Sequence, residues 1–191
     1  MRIHRLVGIF AATGLLSVGA TAKAASQEYG DSTIEFERRN LGGPRIGMTY
    51  VTGHGELWNT LEQNGVGRVI SQFGWHFEYQ VIPIGGGPQF VIEFVPMIGG
   101  VEYGKVIPSG SLLMGIRFPR GIEFGLGPNV LVTGGEDVVK SGIVIGLGKS
   151  FGYGGVSIPL NLVWVRNPDG NRFSFVFGYA VRIGRARGGP R

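Results

Sequence analysis

The chain has 191 residues, of which 36 are glycine, only 16% are charged and none is cysteine. The missing thiols exclude disulfides, thiolate chemistry and lipoprotein anchoring. The glycines lack a triplet period, which excludes collagen, and the charge is thin cover for a water-soluble β protein, against about 25% in ordinary soluble domains. The formal charge of +5 overstates the basicity: without Arg2, Arg5 and Lys23 in the leading segment, 15 basic residues face 13 acidic ones. No nucleic-acid reading module accompanies the basic end, so no nucleic-acid partner is expected.

Met1 to Arg5 is a short basic segment, Leu6 to Leu16 is apolar, and Ala22-Lys-Ala24 offers a small-x-small cleavage site. Residues 1–24 therefore read as a secretory signal peptide. No later stretch approaches the roughly 20 apolar residues of a spanning helix, so a membrane crossing would have to be made by strands. Residues 25–43 are polar and read as a periplasmic lead-in, with a weak alternation at residues 33–37 that would add at most a short strand.

From residue 44 to 184 the chain repeats one pattern eight times: apolar residues alternating with small or polar ones, then a break. Phe73-Gly-Trp-His-Phe-Glu-Tyr-Gln-Val81 is the clearest copy. A period of two is the strand period, because successive side chains point to opposite faces. The expected strands centre on Arg45–Val51, Ile70–Val81, Gln89–Ile98, Ser111–Phe118, Ile122–Val132, Ile143–Phe151, Ile158–Trp164 and Phe173–Ile183. Between the first two, Leu57, Trp58 and Leu61 stand at helical spacing in Glu56–Glu62, a helical turn in the first and longest outer loop. Long connections (52–69, 99–110, 133–141, 166–171) alternate with short ones (82–88, 119–121, 152–155), as in membrane barrels. Pro96 and Pro159 remove donors inside strands and predict bulges or early strand ends. Residues 185–191 form a basic tail.

The non-apolar face is glycine and serine rather than lysine and glutamate, while the other face carries bulky Phe, Ile, Leu and Trp. More bulk lies there than eight strands enclose, so the apolar face is expected to meet lipid. The fold expectation is an all-β, eight-stranded antiparallel up-and-down transmembrane β-barrel. In this architecture the chain resembles the small OmpA/OmpX-type outer-membrane barrels over residues 44–184. Its closing segment Gly178-Tyr-Ala-Val-Arg-Ile183 is similar to their assembly signal, apart from Val176 at a usually polar place and eight residues that follow. The resemblance implies an outer-membrane location, contact with outer-membrane lipid or lipopolysaccharide, the outer-membrane assembly machinery as partner, and a monomer.

The inward charges are few. Arg117 and Glu123 flank the turn at 119–121 at equal distances, which makes them cross-strand neighbours. Arg45, Glu78 and Arg182 are expected near the periplasmic end, with His76 and Glu93 nearer the middle, in a lumenal network that closes the barrel. A gated pore is the rival reading. Enzymes on such barrels use a histidine with a serine and an acid. His54 beside Glu56, and His76 beside Glu78, fit no such arrangement and read as surface and structural residues. No catalytic residue, metal or cofactor is assigned; Glu136, Asp137 and Asp169 are loop acids too scattered for a calcium site. The expected function is envelope structure or surface interaction through His54, Glu56 and Trp58 of the first loop. The alternatives are a lipid-modifying enzyme and a soluble periplasmic barrel with an apolar ligand inside.

Overall fold

The computed structural model describes residues 35–53, 55–133 and 139–183. The signal-peptide and tail assignments, His54, Glu136 and Asp137 lie outside them. Eight antiparallel strands follow in chain order: β1 (Phe36–Val51), β2 (Val69–Pro83), β3 (Gln89–Gly99), β4 (Ile107–Arg117), β5 (Ile122–Val132), β6 (Val139–Tyr153), β7 (Val156–Arg166) and β8 (Arg172–Gly178). A two-residue piece, β9 (Val181–Arg182), prolongs the last of them. Each strand pairs with the next, and β8 pairs with β1, so the sheet closes on itself. Paired residues lead from Arg39 through Gln80, Val91, Gly115, Gly125, Gly146, Val163 and Ser174 back to β1 at Thr49, ten residues further on. With eight strands, that offset tilts them about 40° from the barrel axis and leaves an interior that side chains fill.

β1 begins earlier than the alternation suggests. Phe36 to Arg39 pair with β2 alone, from Phe36 opposite Pro83, and form a hairpin extension of the wall. The expected bulges at Pro96 and Pro159 do not occur. Pro96 interrupts only the β2–β3 ladder, which resumes at Phe77 opposite Phe94 in the same register, while β3–β4 pairing passes through it unbroken. Pro159 pairs normally with Ser150 of β6 and interrupts β7–β8, where Ser157 meets Ala180 in unchanged register. Pro44 and Pro128 act likewise, each next to a gap on one side only. In an antiparallel sheet a residue's N–H serves one neighbouring strand, so a missing donor costs one bond and does not displace the chain.

The alternation resolves as two faces. Ile46, Met48, Tyr50, Phe73, Trp75 and Phe77 point outward, the last at 47% exposure, while Arg45, Thr49 and His76 point inward at 2% each. Lateral pairs knit the outer face, including Phe77 on Phe94 and Trp164 on Phe173, their centroids 6.3 Å apart in both. A solvent-soluble barrel needs the opposite arrangement. The outward bulk makes this a transmembrane barrel.

One helix, α1 (Glu56–Gln63), lies in the first outer connection. Leu57 and Leu61 are one turn apart and drop into the outer mouth with Val51, Val66, Ile70, Ile107 and Leu131. Gly65 at φ 73° ends it, and Val66 N–H reaches back to Leu61 O (2.9 Å).

Candidate functional site: the lumen

Arg117, at the end of β4, organises the lower lumen. Its Nε donates to Glu123 Oε2 (2.7 Å) across the β4–β5 turn, and Nη2 donates to Glu78 Oε2 (3.0 Å) on β2. Nη1 bonds the second Glu78 oxygen, and Glu93 Oε1 stands 3.8 Å away. Arg45 donates to His76 Nδ1 (2.7 Å) and to Tyr179 O (2.8 Å). An arginine only donates, so Nδ1 is the acceptor and the His76 proton sits on Nε2. That nitrogen faces Glu78 (3.6 Å) and Glu93 (3.5 Å). All six side chains belong to buried residues. Confinement explains the density of bonds, because a buried charge without a partner is expensive.

Neighbours not singled out in the sequence complete the cluster. Gln80 Nε2 donates to Glu78 Oε1 (2.5 Å), and Asn161, with its amide oriented to satisfy both ends, donates to Glu123 Oε1 (3.1 Å). A Cβ on Gly148 would collide with Glu123 and Asn161, so that glycine is the space they occupy.

Arg182 does not belong to this cluster. Its inward parity is correct, but β9 pairs only with β1 beyond the end of the closed wall, and the side chain is 64% exposed, 3.6 Å from Glu37. Parity says which way a residue faces and not where the wall stops. In the first loop, Glu56 takes a bond from Lys140 (2.9 Å), and Lys140 also meets Asp169 (3.0 Å). Trp58 is half-buried under the Arg68 guanidinium, 4.5 Å from the ring centroid. Glu56 and Trp58 thus hold α1 over the mouth.

His76, Glu78 and Glu93 have ligand atoms within 4.8 Å of one another, a spacing that a metal ion would accept. Arg117 already neutralises both carboxylates, and Arg45 takes the His76 Nδ1 lone pair. The donor set suits guanidinium groups rather than a metal ion. With Nδ1 engaged, His76 also has no free lone pair with which to activate a nucleophile.

Above the charges, the lumen contains a cavity of about 70 Å³ edged by Gln72, Ser109, Ser111, Asn129, Arg172 and Ser174. Thr49 Oγ1 donates to Gln72 Oε1 (2.6 Å) and therefore accepts from Ser174 Oγ (2.6 Å). Arg172 and Lys140 were missed because they open strands, where a charge reads as part of a loop. Their two-residue spacing from Ser174 and Gly142 carried the signal.

This architecture has counterparts among solved structures. The crystal structure of Ail, the attachment invasion locus protein of Yersinia pestis, superposes with a TM-score of 0.50 at 13% identity, over 78% of this chain and all of that one. The fold is that of a small outer-membrane barrel. Neisserial surface protein A (NspA) also matches, with a TM-score of 0.44 at 10% identity, covering 77% of this chain and 99% of that chain. At such identities the likeness concerns the fold alone. No protein-family model matches the sequence, and no curated protein does.

Proposed function

We propose that the protein is a non-enzymatic outer-membrane barrel that serves envelope structure or surface interaction, exported by residues 1–24 and closed to solute flow. The observation that carries this reading is the inside-out distribution of bulk, with aromatic and aliphatic side chains outward and paired charges filling the lower lumen. The Arg45, His76, Glu78, Glu93, Arg117 and Glu123 network fixes strand register and blocks the lower lumen, while α1 covers the upper mouth. Lipid, including lipopolysaccharide, contacts the wall, and the closing strand is what the assembly machinery reads. The first loop, with Glu56, Trp58 and His54, presents the surface for an external partner.

Folding the chain into detergent micelles, followed by electrophoresis with and without boiling, tests the barrel. A boiling-dependent shift with β-rich circular dichroism is expected, together with no conductance steps in planar bilayers. A chain that stays soluble and monomeric without detergent overturns the membrane reading; regular conductance steps overturn the closed lumen.

A further inference from the structure

Arg172 is an anomaly among the lumenal arginines. Arg117 meets three carboxylates, and Arg45 is tied to His76 and to a carbonyl. Arg172 is 4% exposed, yet among the described residues no carboxylate lies within ion-pair distance of it. Its one bond runs from Nη2 to Asn129 Oδ1, and its Nε is buried without a partner. Register explains the isolation. Arg172 stands between Val51 and Val165, and Val51 belongs to the apolar cluster that α1 completes. Arg172 and Val165 themselves line the 70 Å³ cavity.

The cavity's upper edge is rich in donors. Asn129 is oriented by its own amide, which donates to Gly110 O (3.1 Å) and Ser111 Oγ (2.9 Å), so its oxygen is turned to Arg172. Ser111 accepts in that bond and keeps its hydroxyl proton for the cavity. Ser109 also lines the space, and Gln72 spends its oxygen on Thr49, which leaves its NH₂ group. Two other charged residues line the cavity. Glu93 is engaged by His76 and Arg117, and Arg45 by His76. A buried cation with no counter-charge among the described residues, facing hydroxyl and amide donors across a small cavity otherwise walled by Val144, Val163 and Val165, has the electrostatics of an anion site.

We propose that the upper lumen binds one small monovalent anion of the halide class, held by Arg172 with the Ser109 and Ser111 hydroxyls. A single guanidinium calls for a single negative charge, and a cavity of about 70 Å³ takes a desolvated halide with a few waters but no sugar phosphate or lipid headgroup. The bound ion supplies the counter-charge that the wall lacks at this level, so it stabilises the folded barrel by mass action.

The test uses the detergent-folded protein at constant ionic strength, with chloride exchanged for gluconate, which is too large for the cavity. The unfolding midpoint should rise with chloride concentration, and Arg172→Gln should abolish the rise. Equal midpoints in the two salts, or the same chloride dependence in the variant, overturn the proposal. Should the variant not fold, bromide decides the matter on the unmodified protein. An anomalous peak in the cavity within hydrogen-bond distance of the Arg172 guanidinium is expected in crystals grown with bromide, whereas water there, with bromide only at exposed sites, overturns it.

Discussion

At the scale of single residues, Arg117 is the side chain on which the lower lumen depends. Replacing it with methionine leaves Glu78, Glu93 and Glu123 facing one another in a confined space. Removing one partner from a buried ion pair typically costs about 3–5 kcal/mol; urea unfolding in detergent should show Arg117→Met destabilised by that order. The Arg117–Glu123 pair is legible in the sequence, since equal distances from a tight turn place two residues opposite each other. Contact between Arg117 and Glu78 is not, because it depends on the tilt of the closed sheet and on the width it leaves. A second residue effect lies outside the membrane-spanning wall, in the β3–β4 loop. There slight burial pushes the Glu102 carboxyl up, but bonds from the Ser71 hydroxyl (2.5 Å) and N–H (2.6 Å) outweigh it and hold the group below its ordinary 4.5. With the folded value below the unfolded one, the tie contributes fully above the unfolded value. It is lost as pH falls through the folded value. The Ser71 amide resonance should therefore titrate with a midpoint below 4.5; a midpoint at or above that value would remove the tie.

At the scale of elements, strand existence was readable from alternation, and strand ends were not. Phe36 to Gly43 reads as a polar lead-in because its charges mask its period, yet pairing with β2 continues to Phe36. The prolines are ambiguous for a related reason: composition reveals the missing donor and not which neighbouring strand needs it. The helix is a clearer case. Eight residues are too few to form a helix in isolation, so α1 exists because Leu57 and Leu61 have a mouth to fill. Leu57→Asp should detach α1 while the wall persists, because the aspartate would be buried unpaired among Val51, Ile70 and Leu131. Hydrogen exchange should then show protection lost over 56–63, with the boiling-dependent gel shift retained. Loss of the shift would mean that the lid supports the wall as well.

For the whole molecule, the deciding feature is which face meets lipid, and the sequence carried it in the poverty of the other face: glycine and serine cannot serve as a solvent surface. Leu162, 63% exposed on the outer face of β7, tests the assignment. An arginine there should cost about 2–4 kcal/mol if the position lies near the bilayer midplane, measured by urea titration in lipid vesicles. A soluble barrel would accept it without cost. The closure itself has a temporal consequence. Leu57 N–H bonds Asp169 O (3.0 Å), Thr52 N–H bonds Asn171 O (3.0 Å), and Lys140 joins Glu56 to Asp169. These ties cross from the connection after β1 to the connection before β8, the two strands whose meeting completes the cylinder. The lid is thus a clasp over the seam, and it cannot engage until the first and last strands have met. In pulse-labelled refolding, protection of α1 should be the final event, which makes the helix a clock for the end of assembly.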